Sequence, residues 1–302
     1  MHRYCSERYD DTLINVGKVF VLVTRFFDAN VSGEDKVGVA HQRLKSLQSF
    51  NPSLNSYLIN AFPKSGTHWL WEIITMVVRK QAEVSPMFKE DYFLEMKPFD
   101  QLLKTSPYPI VYTTQFPPSQ LPKSISNLKR VTILRNPKDV MVSAYHHIIS
   151  IYDTVDACWN DLFESWMLTA RENPTYIAEN FWNFTKEVWK KRDEPNVHIV
   201  MYENLIRNFH EELWKICKFL GQEIDGGLID EIYEATEIHS LREKKLASNV
   251  HPPEHRIAFS KLYRHGKIGQ WKNYFTASQN AEFDRVTRNM LSDCKGLNFI
   301  YE

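Results

Sequence analysis

The sequence predicts an α/β fold in which a central, mostly parallel sheet is flanked by helices. Short apolar runs rich in β-branched residues, which are typical of buried strands, recur along the chain. Between them lie longer segments whose apolar residues return at the spacing of a helix. Because ligands of such sheets bind beyond the carboxyl ends of the strands, a functional site is expected in the turns that follow the predicted strands.

The predicted elements follow one another without an internal repeat or a low-complexity segment. Strands are predicted at residues 57–61, 109–114, 129–134 and 197–202. Helices are predicted at residues 70–78, from Pro137 onward, within 157–171 and 178–191, and at 209–220. Pro137 suits an early helix position, where its missing N–H costs little, and Gly221 would end the last of these helices. We expect one structural domain over residues 51–302, on which residues 1–50 pack as an N-terminal segment.

Composition narrows the classes of function. The chain has 302 residues, of which 43% are hydrophobic and 25% are charged, which is enough for one sizeable core. Its 37 Lys and Arg residues balance 37 Asp and Glu residues, so no net basic field favours nucleic-acid binding. The four cysteines lie far apart and form no C-x-x-C pair. The sequence therefore predicts neither a metal site nor a disulfide framework.

The N-terminal region predicts neither membrane attachment nor export. The apolar run at residues 19–23 is too short to span a bilayer, and Arg25 follows it closely. Glu7, Asp10 and Asp11 precede the run, which argues against a signal peptide. We therefore expect a cytoplasmic protein without a membrane partner.

The most informative stretch is F-P-K-S-G-T-H-W at residues 62–69, between the first predicted strand and the first predicted helix. A strand, a short glycine-containing turn and a helix start direct backbone N–H groups at an anion. Lys64 adds a positive charge, and Ser65 and Thr67 add hydroxyl donors. A Walker A loop would place its lysine after a second glycine, whereas Lys64 precedes Gly66, the only glycine of this stretch. The loop is therefore predicted to hold a phosphate-like group without the usual NTPase metal.

Two further segments carry residues suited to anions. Arg135 follows the third predicted strand, and Ser143 lies about two helical turns further on. Arginine offers a planar fork that matches phosphate, and a serine hydroxyl can donate to another oxygen. A late segment, Y-R-H-G-K-I-G-Q-W-K-N at residues 263–273, combines two glycines with several basic side chains. Each segment is commonplace alone, but all three in this order favour an anion-binding site.

The three segments resemble the motifs of the cytosolic sulfotransferase family. This chain has F-P-K-S-G-T-H-W, R-N-P-K-D-V-M-V-S and R-H-G-K-I-G-Q-W-K-N. The family patterns are Y-P-K-S-G-T-T-W, R-N-x-K-D-x-x-V-S and R-K-G-x-x-G-D-W-K-N, in the same order. The likeness runs from about residue 57 to residue 284. It implies a single P-loop-like domain, a small-molecule acceptor, and 3′-phosphoadenosine 5′-phosphosulfate (PAPS) as the co-substrate that supplies a sulfuryl group.

The resemblance also implies roles for individual residues. The 5′-phosphosulfate would be surrounded by Lys64, Ser65, Gly66, Thr67 and His68. Lys64 would also neutralise the bridging oxygen during transfer. Trp69 would stack on adenine, with Tyr202 and Thr236 nearby. The 3′-phosphate would be bound by Arg135, Ser143, Arg264, His265 and Gly266. Displacement at sulfur depends on positioning and charge stabilisation, and this arrangement requires no metal.

One departure from the family concerns catalysis. The family has a K-T-H-L-P segment whose histidine removes a proton from the acceptor hydroxyl, and the matching residues here are T-T-Q-F-P at 113–117. Gln115 thus occupies the histidine position, and an amide does not accept a proton near neutral pH. Three explanations stay open. The acceptor needs little base assistance, another base serves among His68, His147 and Glu95, or the protein is an inactive member that binds nucleotide or a small ligand.

Two further expectations concern the acceptor and the assembly. The family's acceptor pocket matches Phe93, Met96 and His147, so a flat, largely apolar compound with a hydroxyl or amine is expected. Family members often dimerise through K-x-x-x-T-V-x-x-x-E, where this chain has Ala277 for the valine and Ala281 for the glutamate. Lost apolar area and a lost ion pair predict a monomer or a weak homodimer.

Overall fold

The four predicted strands pair into one parallel sheet in the computed structural model, which describes residues 47–53, 55–95, 108–151, 158–171, 181–247, 263 and 266–302. The strands are β1 (Ser56–Ala61), β2 (Ile110–Thr114), β3 (Lys129–Leu134) and β4 (Val197–Met201). Their order in the sheet is β2-β1-β3-β4, and all three pairings are parallel. The predicted α/β class and the four strands are confirmed, with small differences only at the strand ends.

Helices connect and cover these strands. In chain order they are α1 (Thr67–Arg79), α2 (Lys123–Ser126), α3 (Pro137–Ile151), α4 (Trp159–Arg171), α5 (Phe181–Lys190), α6 (Tyr202–Arg207), α7 (Phe209–Leu220), α8 (Gly226–Ala235), α9 (Ile238–Ala247) and α10 (Ala277–Met290). Short 3₁₀ turns occur at Lys89–Tyr92, Pro118–Gln120 and Gln270–Asn273.

The predicted helix boundaries have local causes. Pro137 is the first residue of α3, as predicted from its missing N–H. Gly221 follows α7 with a φ of 74°, and its N–H bonds back to the helix, which is a common way for a helix to end. Helices α8, α9 and α10 were not predicted from apolar spacing. The start of α10 is instead set by a reciprocal cap between Thr276 and Gln279.

The core lies on both faces of the sheet, as is usual for parallel strands. On one face, side chains of β1 and β3 such as Ile59 and Val131 pack against α1, α7 and α8. A second apolar cluster lies beyond the strand ends, between α3, α4, α5 and α10, and includes Phe163 and Trp182. Aromatic side chains of α4 and α5 are therefore part of the core.

The division into residues 1–50 and residues 51–302 remains a prediction, since most of the first segment lies outside the described residues. Its last part packs on the sheet: Leu47 and Phe50 are buried with Leu58 and Tyr112. Among the described residues, no helix is long and apolar enough to cross a membrane.

Candidate active site

The loop after β1 has a backbone shape that depends on glycine. Lys64 has a φ of 68° and Gly66 a φ of 105°, both in the left-handed region. A Cβ atom at Gly66 would lie 2.6 Å from a ring carbon of Tyr202 and 3.4 Å from Ile133. Glycine is therefore required at position 66. A lysine in the left-handed region carries conformational strain, which is frequent in ligand-binding loops.

The loop after β3 lies directly against the loop after β1, because the two strands are neighbours in the sheet. The Arg135 guanidinium donates from Nη1 to the carbonyl oxygen of Lys64 at 3.1 Å. The guanidinium carbon lies over the Tyr202 ring, 4.3 Å from the ring centre. Two of the three predicted anion-binding segments are thus joined at one edge of the sheet.

The third segment is attached to the second by Asp139. This buried carboxylate accepts hydrogen bonds from the backbone N–H groups of Gly269, at 2.8 Å, and Trp271, at 2.9 Å. Gly266 has a φ of 61° and faces the same cavity as Arg135. Arg264 and His265 lie outside the described residues, so their predicted contacts with the 3′-phosphate remain predictions.

A buried network behind Arg135 fixes the start of α3. The Glu203 carboxylate accepts from the backbone N and the side-chain Nδ2 of Asn136, at 2.9 and 3.2 Å. Asn136 Nδ2 also donates to Asp139 at 2.9 Å. Burial raises the pKa of Glu203, and these hydrogen bonds act against that rise. The sequence patterns indicated no role for Asn136, Asp139 or Glu203, although two of them belong to the R-N-P-K-D motif.

These loops open onto one cavity of about 290 Å³ at the carboxyl ends of the strands. The predicted site residues on its wall are Lys64, Gly66, Thr67, His68, Trp69, Phe93, Gln115, Arg135, Ser143, His147, Tyr202, Thr236 and Gly266. Ser65 is buried behind the loop and is not part of the wall. Met96 lies outside the described residues.

One end of the cavity is formed by aromatic and aliphatic side chains around Trp69. Its indole N–H donates to the Thr236 carbonyl at 3.1 Å, which fixes the ring. Tyr202 and Phe209 pack beside it, with ring centres at 5.8 and 6.1 Å. The Thr236 hydroxyl is engaged with its own helix, donating to the Ile232 carbonyl at 2.7 Å. Thr236 is therefore placed to act on this part of the cavity through its carbonyl group.

Gln115 lies at the other end, directly after β2, where Glu95 holds its backbone. Glu95 Oε1 accepts from the Thr114 hydroxyl at 2.8 Å, the Gln115 N–H at 2.5 Å and the Phe116 N–H at 2.9 Å. Burial raises the pKa of Glu95 to about 7 against these hydrogen bonds. Glu95 itself does not line the cavity.

Near Gln115 the cavity wall carries a group of charged and titratable side chains. His68 Nε2 lies 2.7 Å from Glu90 Oε1, and Lys89 Nζ lies 3.0 Å from the same oxygen. Burial lowers the pKa of His68 to about 4, although Glu90 acts in the opposite direction. Burial, with Lys64 and His68 nearby, lowers the pKa of His147 to about 2.

The cavity wall also carries two charged residues, Lys89 and Glu90, for which the sequence patterns indicated no role. Lys89 and Glu90 occupy a 3₁₀ turn, and both are buried despite their charge. Charged residues in a short turn are usually exposed, so no periodic pattern indicated that these two face inward. Within the described ranges, no group of three or more His, Cys, Asp or Glu side chains is arranged to hold a metal ion.

Comparison with known proteins agrees with this geometry. A family model described as a sulfotransferase domain matches residues 54–295. Sulfotransferase 1B1 of Mus musculus is 30% identical over 264 residues, which cover 82% of this chain and 86% of the relative. Sulfotransferase 1A1 of Canis lupus familiaris is 30% identical over 274 residues, which cover 85% of this chain and 90% of the relative.

Solved structures share the fold. Mouse sulfotransferase SULT7A1 complexed with PAP superimposes with a TM-score of 0.66 at 22% identity, covering 86% of this chain and 92% of that one. Retinol dehydratase in a complex with retinol and PAP also gives a TM-score of 0.66, at 20% identity, covering 86% and 88%. With the domain match over most of the chain, these likenesses show that the protein belongs to the sulfotransferase family.

Proposed function

We propose that the protein transfers a sulfuryl group from PAPS to a hydroxyl or amine of a small, largely apolar acceptor. The observation that carries the proposal is the convergence of two strand-end loops on one cavity. Lys64 follows β1, Arg135 follows the neighbouring β3, and the two residues are hydrogen-bonded at 3.1 Å. Cationic residues on two loops that are joined at a sheet edge suit a nucleotide that carries anionic groups at two positions.

Unused polar atoms in the loops fit such a ligand. The Ser65 hydroxyl oxygen and the Arg135 Nε are buried without a hydrogen-bond partner among the described residues. Buried polar groups normally have partners, so these two atoms favour a bound group that supplies them. The glycine at position 66 leaves backbone N–H groups open to close approach, and the start of α1 adds a favourable helix dipole.

In this proposal each group of residues binds a different part of the nucleotide. The 5′-phosphosulfate is held by Lys64, Ser65, Gly66 and Thr67, with His68 beside its sulfuryl end, and the 3′-phosphate is held by Arg135, Ser143, Arg264, His265 and Gly266. Trp69 packs on adenine beside Tyr202 and Thr236. Lys64 stabilises the negative charge that develops on the leaving oxygen, which is the main demand of such a transfer. The relatives complexed with PAP support these assignments by family likeness.

The acceptor end combines aromatic and polar walls. Phe93, Tyr263 and His147 contribute ring surfaces, and Gln115 contributes an amide. Ring surfaces with a few polar groups favour a flat, largely apolar acceptor. The second candidate function, an inactive family member that only binds ligand, is favoured by Gln115 alone. An assay with labelled PAPS and a panel of phenols, alcohols and amines separates the two candidates.

Calorimetry with adenosine 3′,5′-bisphosphate (PAP) and with AMP tests the nucleotide site. We expect PAP to bind more tightly than AMP because only PAP carries the 3′-phosphate. Arg135→Ala should weaken PAP binding by about 1.5–3 kcal/mol through the loss of charge-assisted hydrogen bonds, and should leave AMP binding almost unchanged. Arg288→Ala on the exposed side of α10 is the matched control. Equal affinities for PAP and AMP would contradict a dedicated 3′-phosphate site.

A further inference from the structure

The cavity wall near Gln115 contains a histidine–carboxylate pair that the family motifs do not account for. His68 is the second residue of α1, and Glu90 belongs to the 3₁₀ turn at Lys89–Tyr92. The Nε2 of His68 and the Oε1 of Glu90 are 2.7 Å apart. Both side chains line the cavity together with Phe93 and Gln115. The pair therefore lies where the acceptor is expected.

The surroundings of the pair fix its orientation. Glu90 keeps 7% of its side-chain surface exposed and is also bound by Lys89 Nζ at 3.0 Å. Lys89 in turn packs over the Phe93 ring at 4.2 Å. The Tyr263 ring stands edge-on to His68, with ring centres at 6.3 Å. His68 is held from two sides, yet 23% of its side-chain surface stays open.

The charges of the pair determine which ring nitrogen of His68 can accept a proton. Burial pushes the pKa of Glu90 upward, but His68 and Lys89 outweigh it and keep the carboxyl below its ordinary value. Burial lowers the pKa of His68, so the ring is neutral at physiological pH. An ionised Glu90 only accepts hydrogen bonds, so Nε2 carries the hydrogen that binds it. Nδ1 is then the unprotonated nitrogen of His68.

The other candidate bases fit less well. Glu95 has a pKa of about 7, but its Oε1 is bonded to the 114–116 segment and the residue is not on the cavity wall. His147 lines the cavity, but its pKa of about 2 makes it a much weaker proton acceptor than His68. Geometry is the first requirement for a general base and pKa the second: His68 lines the cavity, which Glu95 does not, and its pKa is closer to neutral than that of His147.

We propose that His68 is the general base for the acceptor and that Glu90 is its positioning residue, which together replace the histidine missing at position 115. This proposal rests on the proposed sulfuryl transfer. The acceptor hydroxyl gives its proton to Nδ1 of His68 while its oxygen forms the new bond to sulfur. The bond from sulfur to the bridging oxygen breaks, and that electron pair leaves on the nucleotide phosphate, whose charge Lys64 stabilises. The ionised Glu90 stabilises the imidazolium formed on His68.

The bound nucleotide also favours this role. Lys89 and Lys64 both lower the pKa of His68 in the free protein, and His147 lies close by on the same wall. The negative charge of a phosphosulfate beside Lys64 would offset part of that effect, because an anion near a histidine raises its pKa. His68 would therefore be a stronger base in the complex than in the free protein.

The test compares the effect of each substitution on an acceptor that must lose a proton and on one that is already ionised. Single-turnover transfer from PAPS is measured with unsubstituted phenol and with a nitrophenol that is ionised at the assay pH. His68→Gln should slow transfer to phenol by about 10²–10⁴-fold and leave transfer to the ionised nitrophenol within about tenfold. Glu90→Gln should show the same selectivity with a smaller loss. Added imidazole should partly restore transfer to phenol by His68→Ala.

Control measurements separate catalysis from folding and binding. PAP affinity, measured by calorimetry, should stay within about tenfold of wild type in each variant, because PAP lacks the sulfuryl group near which His68 acts. His210→Gln is a matched control, since His210 forms a similar pair with Asp230 at 2.8 Å on the surface, outside the cavity wall. It should leave both transfer rates unchanged.

Several outcomes would overturn the proposal. If His68→Gln slows both phenols equally, or weakens PAP binding as much as it slows transfer, His68 holds the phosphosulfate and is not the base. If His68→Gln leaves both rates intact, another group or none removes the proton. Wild-type protein that transfers nothing to any acceptor, whether or not it binds PAP, would refute the proposed function itself, and the His68 proposal with it.

Discussion

The two ends of the cavity are built differently. The donor end, around Lys64 and Arg135, consists of loops that directly follow two neighbouring strands, and the Lys64 carbonyl receives the Arg135 guanidinium. The acceptor end is held instead by side-chain contacts between separate segments. Glu90 binds His68, which is 22 residues away, and Glu95 binds the backbone at Gln115, which is 20 residues away. The geometry of the donor end is thus set by the sheet, and the geometry of the acceptor end is set by side-chain packing.

The wall that carries Glu90 depends on one buried ion pair. Lys245 Nζ on α9 lies 2.5 Å from Glu72 Oε1 on α1. The same ammonium donates to the carbonyl oxygens of Ser85, at 2.7 Å, and Met87, at 2.6 Å, immediately before the Lys89–Tyr92 turn. Glu72 Oε2 accepts from the Ser85 backbone N–H at 3.1 Å. Lys245 and Glu72 therefore anchor the acceptor wall to α1, the helix that begins at the donor loop.

This difference explains how the catalytic group can change while the nucleotide motifs persist. A change in the donor loop alters backbone geometry beside Tyr202 and the sheet, as the 2.6 Å contact of a Cβ at Gly66 shows. A change of side chain at position 115 leaves the backbone there in place, because Glu95 binds the backbone N–H groups of residues 115 and 116. A base can then be supplied from another segment of the same wall, since catalytic side chains need not support the core.

The largest expected effect is a rescue at the acceptor end. In the His68→Gln background, adding Gln115→His should recover much of the lost rate with phenol, which is about 10²–10⁴-fold. In the wild-type background the same change should have a small effect, because a base is already present. Gln81→His, at an exposed position just after α1, is the control and should rescue nothing. Single-turnover assays decide between these results. Failure of the rescue, with PAP binding intact, would mean that position 115 no longer faces the acceptor oxygen.

The next effect concerns the stability of the acceptor wall. Lys245→Met should lower the free energy of unfolding by about 3–5 kcal/mol, because it leaves the buried Glu72 charge without its partner. Adding Glu72→Met should recover part of this loss by removing the unpaired charge. Lys215→Met removes the two ion pairs of an exposed lysine on α7, with Glu211 and Glu212, and should cost less than about 1 kcal/mol. Denaturant unfolding measures all three. Equal midpoints for Lys245→Met and Lys215→Met would show that the pair does not anchor the wall.

A smaller effect is expected at the donor end from Asp139→Asn. The amide keeps one acceptor oxygen but turns an NH₂ donor toward a backbone N–H, either of Gly269 or of Trp271. We expect a loss of about 1–3 kcal/mol in PAP binding, because the segment beside Gly266 loosens, and little change in AMP binding. Hydrogen exchange at the two amides should accelerate. Asp161→Asn, at an exposed position of α4, is the control. Unchanged exchange at both amides would contradict the view that Asp139 holds this segment in place.

The same contrast determines what the sequence could predict. The four strands, the loop at residues 62–69 and the position of Arg135 follow from local patterns, because a strand, a glycine turn and a helix start are adjacent in the chain. The pairing of Glu90 with His68 and of Lys245 with the Ser85 and Met87 carbonyls depends on tertiary packing. Lys245 was not singled out because α9 has no clear apolar face and its lysines look exposed in the sequence. Asp139 was visible in a motif, but its backbone partners were not.

The smallest expected effect is that of protein concentration on the transfer rate per chain. Both ends of the cavity come from one chain in the structure, so a monomer should be fully competent. Transfer per chain should stay constant across a dilution series in which sedimentation follows the oligomeric state, and we expect a monomer or a weak dimer at low micromolar concentration. Ala277→Val combined with Ala281→Glu, which restores the family's dimer segment, should strengthen association by about 0.8 kcal/mol for each methylene buried, without changing transfer per chain. A transfer rate per chain that falls as the dimer dissociates would mean that a second copy of the chain completes the acceptor end.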